Sequence, residues 1–402
     1  MSDQSEKDTA LWRTTLAHPL FDYRVVIATS AVLLTLGLMM VISASSVTAA
    51  AQLHDPYYFG KRQIAFAVVG VLGAVFLARS SEKFTRFLGL PALVVAAVLI
   101  ALTLTGFGVE IGGNRNWVQF GPEFTRFQPS EFAKLAIVLW GAHDLAKRSK
   151  VLTDLRHWAM FLAGTLGLVG LVFAQKDAGT ALIMAAIVVI VAIVAGAPWR
   201  LLMALFVAAI GVVLLMLKMA PFRLQRILAY LDPLSDPYGM NLQPRRGIQA
   251  LASGGWFGQG LGSSRQKWGL LAEAHNDYIF AIIGEELGLI GTLTVIFLFA
   301  ALAFSGMRIA LKSTSHFSRH VAVGVVAWMT VQSFANVAVA TRMIPVLGIP
   351  LPMISYGGSS LMANLFAIGL LVGCARREPQ AAKALAQQRT KARRQAVIKV
   401  SP

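Results

Sequence analysis

The sequence predicts an all-α polytopic membrane protein: ten transmembrane helices, with a large extracytoplasmic loop between the seventh and the eighth. Three observations predict it. The 402 residues are 56% hydrophobic and only 14% charged, where soluble domains carry roughly 25% charged residues. Apolar runs of membrane-crossing size, which needs about 20 residues, recur along the chain. No strand-like alternation competes with them, and helices satisfy every backbone amide inside lipid. This composition excludes a water-soluble globule, a disordered tail and a secreted disulfide scaffold. The one cysteine, Cys374, excludes an internal disulfide, and no zinc spacing is present.

In chain order the spans are read at 25–44, 64–78, 87–108, 131–145, 158–174, 178–197, 201–217, 287–306, 321–340 and 359–375. The second is too short unless residues 57–63 continue its helix, with Lys61 and Arg62 snorkelling to the surface. Orientation follows from the basic residues flanking the spans. Arg79, Lys83 and Arg86, then Lys147, Arg148 and Arg156, then Arg308, Lys312 and Arg319 fall on one side with the basic tail. The positive-inside rule makes that side cytoplasmic, with both termini there. The organisation is therefore a cytoplasmic segment 1–24, a membrane domain 25–375 containing the extracytoplasmic loop 218–286, and a basic cytoplasmic tail 376–402. The net charge of +17 is read as this sidedness and as a solvated anchor, not as nucleic-acid binding. No cleavable leader is expected, because mostly polar residues precede the first span.

Ionisable residues at membrane depth are the candidates for chemistry, since a lipid-embedded bundle otherwise avoids them. On this topology they converge on the outer face. Glu131 and Lys134 stand three apart after Pro129 and Ser130, on one helix face, so each can neutralise the other. Ser130 is a candidate cap. A purely structural ion pair is the competing reading. Asp177 lies between two spans, in Gln175-Lys176-Asp177-Ala178-Gly179-Thr180. The segment 218–286 is too long for a passive connector. It carries Arg226, Arg245, Arg246, Arg265 and Lys267, with Gly254, Gly255, Gly258, Gly260 and Gly262. Such a loop suits a phosphate-bearing lipid head group, with non-specific leaflet binding as the alternative.

The segment ends in Ala274-His275-Asn276-Asp277-Tyr278 before an apolar run containing Glu285 and Glu286. A carboxylate there can serve as a general base, its pKa lifted by partial desolvation; equally, Asn276 or Asp277 can simply cap the helix. Residues 345–359, including Ser355 and Gly357, lack the lysine and spacing of a phosphate-binding loop. They read as irregular backbone re-entering the membrane and lining a cavity.

Together, residues 126–134, 175–180, 258–262 with Gln266-Lys267, 273–288 and 345–359 resemble the SEDS family (shape, elongation, division and sporulation), the ten-span FtsW and RodA proteins. The resemblance spreads over most of the chain in the family's order. It implies a peptidoglycan glycosyltransferase that polymerises lipid II. Asp277 matches the family's essential aspartate and would be general base on the 4-hydroxyl of the acceptor sugar. That oxygen attacks the donor's anomeric carbon, undecaprenyl pyrophosphate leaves, and α becomes β. Arg126, Gln128, Glu131, Lys134 and Asp177 match polar cavity positions, and Lys61 or Arg62 another basic one. Lys267, Ser355 and Gly357 complete the expected substrate contacts. Basic residues or a divalent cation, magnesium or manganese, would neutralise the leaving group.

Within the family, Ser45-Ser46, residues 55–63 and residues 283–288 resemble the division branch more than the elongation branch. That branch implies a class B penicillin-binding protein, an FtsI-like transpeptidase, as partner, with other divisome proteins and membrane lipids. A lipid II flippase and a non-catalytic divisome scaffold are the alternatives. Asymmetry of the ionisable residues toward the outer face favours the polymerase over a carrier, which needs a midplane site open to both sides. The chain departs from the family at Lys176, usually proline, at Arg246-Gly247, usually Gln-Ser, and at Ala338 and Arg342, usually glycine. Arg342 adds a charge near the expected cavity mouth, positioned to read pyrophosphate or to alter partner contact.

Overall fold

The structure, a computed structural model, describes residues 17–400 apart from 112, 122–124, 150–153, 220, 233–235 and 237–238. The side chains of 215–217, 219, 221–223, 389 and 392–400 also lie outside the description, as do residues 1–16 of the N-terminal segment and 401–402 of the tail.

The helices are α1 (Phe21–Leu53), α2 (Tyr58–Arg79), α3 (Glu82–Phe87), α4 (Gly89–Thr103), α5 (Pro129–Lys147), α6 (Ala159–Ala174, led by a 3-10 turn Leu155–Trp158), α7 (Ala178–Val194), α8 (Trp199–Met219), α9 (Pro221–Leu231), α10 (Leu242–Ser253), α11 (Ile279–Lys312), α12 (His316–Ala340), α13 (Gly358–Arg377) and α14 (Pro379–Val400). The apolar runs read from the sequence fall on these helices, the run at 87–108 apart. Among the described residues, six helices are long and apolar enough to cross a membrane: α1, α2, α6 with its leading turn, α11, α12 and α13. The apolar helices α4, α7 and the first part of α8 are shorter. α2 does begin at Tyr58, so the short second run gains the length it needed. The run read at 87–108 is broken: α4 ends at Thr103 and the chain then turns.

Beyond that turn the chain departs from the all-helical expectation. Strands β1 (Gly108–Ile111) and β2 (Asn114–Val118) form an antiparallel hairpin with Val109 opposite Trp117. Its Val, Ile and Trp residues suit a pleated surface, and Gly113 turns it at φ +81°. Arg115 N–H bonds the Gln175 carbonyl at 3.1 Å, fastening the hairpin to the end of α6.

α12 and α13 form the centre of the bundle. Trp328 is fully buried in α12, and small residues let α13 approach its neighbours closely. A Cβ on Gly369 would strike the backbone of Ala74 in α2. A Cβ on Gly37 of α1 would strike the carbonyl of Met353, which brings the irregular segment 345–357 against α1.

The segment 218–286 contains α9 and α10, and its ends are taken up by α8 and α11. Inside α11, Gly288 adopts φ +69°, ψ −164°, a region open essentially to glycine alone. The break frees amides that a continuous helix would use. Leu289 N–H bonds the Gly255 carbonyl at 2.9 Å and Ile290 N–H bonds that of Trp256 at 3.2 Å. The glycine-rich stretch lies close enough for this because a Cβ on Gly254 or Gly258 would collide with the carbonyls of Gly284 and Glu286. Gly288→Ala is expected to destabilise the protein by about 1–3 kcal/mol and to expose residues 254–262 to protease. Unchanged unfolding and cleavage would contradict this account of the break.

Candidate active site

Residues 345–357 carry backbone groups that no ladder satisfies, and polar side chains from the bundle satisfy them instead. Gln332 Nε2 donates to the Pro350 carbonyl at 2.8 Å. Asn336 Nδ2 donates to the carbonyls of Ile349 at 2.8 Å and Asp277 at 2.9 Å. Ser355 Oγ accepts from Leu351 N–H at 2.7 Å and donates to the Asn276 carbonyl at 2.7 Å. Gln63 of α2 donates to the Ser355 carbonyl at 3.1 Å and accepts from Gly357 N–H at 3.2 Å. Tyr356 N–H donates to the His275 carbonyl at 2.9 Å. These bonds lay 275–277 against residues 345–357.

Asp277 is not a helix cap. α11 starts after Tyr278, and no side chain caps it. The Asp277 Oδ2 instead faces Gly348, where a Cβ would stand 3.6 Å away; a residue without a side chain leaves room beside the carboxyl. Asp277 keeps partial exposure, yet the surrounding protein strips enough water to dominate its protonation. Desolvation, then the negative charges of Glu273 and Asp177, push its pKa from the ordinary 3.8 up to about 7, against the pull of Arg226. Burial lowers the pKa of His275, which Glu273 opposes. The His275 ring stacks on Phe59 at 5.2 Å, and Phe59 meets Tyr356 at 5.0 Å, so the start of α2 borders the Asp277 segment.

Asp177 does cap α7, accepting Thr180 N–H at 3.0 Å. Its other oxygen accepts Asn116 Nδ2 at 2.7 Å and Gln128 Nε2 at 3.3 Å. Arg126 donates twice to Gln119, at 3.2 and 3.1 Å. Ser130 is buried inside α5 and does not cap it, since the cap position is Gln128. Glu131 and Lys134 pair at 2.8 Å, each 1% exposed. The Lys134 ammonium also donates to Gln332 at 2.7 Å and sits 5.0 Å from the centre of the Trp328 ring. The pair thus helps hold the glutamine that bonds the Pro350 carbonyl.

Lys267 lies in a second buried pair. Its ammonium bonds the Gly262 carbonyl at 2.6 Å and Glu286 at 3.3 Å, and Ser43 of α1 donates to the same carboxylate at 2.7 Å. Glu285 accepts Ser264 Oγ at 2.5 Å and Arg265 N–H at 3.0 Å. Both acids thereby anchor the glycine-rich loop to α11. Lys61 is exposed and paired with Asp55 at 2.9 Å. Arg62 lies 5.6 Å from the Tyr58 ring centre and 5.9 Å from that of Phe66.

Gln63, Asn116, Gln332 and Asn336 were not among the sequence candidates. Their sequence signal is uncharged polarity within or beside apolar runs, which is weaker than that of an ionisable group at membrane depth. Among the described residues no three His, Cys, Asp or Glu side chains converge on a metal position.

The family model described as cell cycle protein, covering FtsW, RodA and SpoVE, matches residues 23–380. The chain is 38% identical over 356 residues to the "Probable peptidoglycan glycosyltransferase FtsW" of Trichlorobacter lovleyi, covering 88% of this chain and 93% of that one. It is 39% identical over 352 residues to "Stage V sporulation protein E" of Bacillus subtilis, covering 86% and 94%. Among solved structures, a chain from "Structural coordination of polymerization and crosslinking by a peptidoglycan synthase complex" superposes with TM-score 0.70 at 30% identity, covering 88% of this chain and 98% of that one. The rod shape determining protein RodA of Thermus thermophilus superposes with TM-score 0.65 at 28% identity, covering 88% and 96%. The polar cluster around residues 345–357 in a helical membrane bundle is therefore found in a chain that belongs to the FtsW, RodA and SpoVE family of cell cycle proteins.

Proposed function

We propose that this chain is an inner-membrane peptidoglycan glycosyltransferase that polymerises lipid II at the division septum. It crosses the membrane ten times with both termini cytoplasmic; 218–286 faces outward, 1–24 and 376–402 inward. The observation that carries the reading is Asp277, an aspartate pushed to a pKa of about 7 beside a glycine that leaves room for a substrate. A base poised near working pH combines the right protonation state with sufficient basicity. The Asp277 carboxylate takes the proton of the acceptor 4-hydroxyl as its oxygen bonds the donor's anomeric carbon. The bond to pyrophosphate breaks from the opposite face, and lipid pyrophosphate departs with the electron pair. One carboxylate suffices because this leaving group, unlike a sugar alkoxide, needs no protonation to depart.

Arg126, Gln128 and Asp177 form the polar wall next to the base, with Lys61 or Arg62 approaching from α2. Glu131, Lys134, Lys267, Ser355 and Gly357 serve the substrate by fixing the two loops that shape its cavity. The partner is a class B penicillin-binding protein, which crosslinks the new glycan. The relatives named FtsW support the division branch, and the synthase complex among the similar structures supports such a partner. A flippase is not favoured: Glu131 and Lys134 are sealed at 1% exposure in contacts that fix one loop geometry.

The test is glycan synthesis from purified lipid II by the chain co-purified with its transpeptidase, with moenomycin present to silence unrelated polymerases. Long glycan from wild type and none from Asp277→Ala, at equal yield of complex, is expected. Equal product from both would remove Asp277 as base, and no product from either would favour a scaffold or a carrier.

A further inference from the structure

Beside the Asp277 cluster lies a cavity of about 160 Å³, bounded by α9, α10 and residues 342–346. Its polar lining includes Arg226, Tyr230, Asn241, Gln243 and Arg342. Among the described residues, no acidic side chain lines it. Arg342 Nη2 donates to Asn241 Oδ1 at 3.1 Å, which holds the guanidinium in place. Tyr230 OH donates to the Met343 carbonyl at 2.7 Å, fastening α9 to the same turn. Arg226 reaches far enough toward Asp277 to act on its charge. Pro345 and Val346 line the cavity only two or three positions before Gly348, which faces the Asp277 carboxyl.

The backbone supplies an independent observation. Arg342 follows the end of α12 at φ +57°, a left-handed position that glycine occupies without strain and an arginine does not. Strain of this kind is kept where the side chain gains something in return. A planar guanidinium with several fixed donors is suited to carboxylate or phosphate oxygens, and a second arginine adds to the attraction.

We propose that this cavity is an oxyanion subsite of the substrate pocket, in which Arg342 and Arg226 together bind an anionic group of the lipid-linked substrate. The inference rests on the polymerase reading and adds a subsite to it. Lipid II offers two such groups, its pyrophosphate and the carboxylates of its stem peptide.

Binding is measured without turnover, in the Asp277→Asn protein in detergent, using fluorescently tagged lipid II. Adding Arg342→Gly is expected to weaken binding about tenfold, the loss of one charge-assisted contact, with Arg342→Lys intermediate. The glycine variant should unfold no earlier than its parent, because it relieves the left-handed strain. The comparison is repeated with a lipid-linked disaccharide lacking the peptide: a retained ratio assigns the pyrophosphate, a lost ratio the stem carboxylate. Equal binding by the arginine and glycine proteins would overturn the subsite while leaving the polymerase reading intact. No lipid II binding by the parent itself would overturn both.

Discussion

Asp277→Asn is expected to reduce glycan polymerisation by about 10²–10⁴-fold, the usual contribution of a positioned general base. Asparagine preserves the shape and hydrogen-bonding size of the side chain but cannot take the hydroxyl proton. With a pKa of about 7, roughly a tenth of wild-type enzyme carries the ionised base at pH 6 and about nine-tenths at pH 8. The rate under limiting substrate should therefore climb about tenfold across that window, and the residual rate of the asparagine protein should not.

Stability should move the other way. Because folding raises this carboxyl above its ordinary value of 3.8, the folded state favours the protonated form. That contribution is complete below pH 4 and is lost as pH rises through about 7. Asp277→Asn should therefore unfold at a higher temperature than wild type at pH 8, with the difference vanishing near pH 4. A flat pH-rate profile, or an asparagine protein no more stable at pH 8, would contradict the desolvated-base assignment.

Lys134→Ala is expected to cost about 3–5 kcal/mol, the penalty for leaving one member of a buried ion pair alone. Glu131 would lose the ammonium 2.8 Å away, and Gln332, which donates to the Pro350 carbonyl, would keep only Trp328 Nε1 of the two donors to its Oε1. Removing both charges, in Glu131→Leu with Lys134→Leu, should recover part of the stability, since no isolated charge remains. Thermal unfolding in detergent measures both, and a single variant within about 1 kcal/mol of wild type would refute the buried-pair account. Polymerisation should fall in the double variant even where stability returns, because the Gln332 tether of residues 345–357 beside Asp277 loses one of its two orienting donors.

Local pattern determined much of this protein. Membrane-length apolar runs placed the helices, because a chain in lipid must satisfy its amides within each segment. The glycines at 254–262 signalled close backbone approach, and residues 345–359 signalled a loop that only a cavity can accommodate. Asp277 was legible as a carboxylate entering an apolar helix, although its residues alone left capping open.

Tertiary structure decided what depends on partners distant in sequence. Ser43 meets Glu286 across 243 positions, which ties the Lys267–Glu286 pair to α1. Gln332 and Asn336 sit on a helix whose periodicity says nothing of the carbonyls they serve. The break at Gly288 is invisible in a continuous apolar run, and the hairpin at 108–118 is too short to show a period. Asp277 gained its raised pKa from burial and from Asp177, a hundred positions earlier. Hydropathy is a property of neighbours along the chain; which buried polar group answers which is a property of neighbours in space.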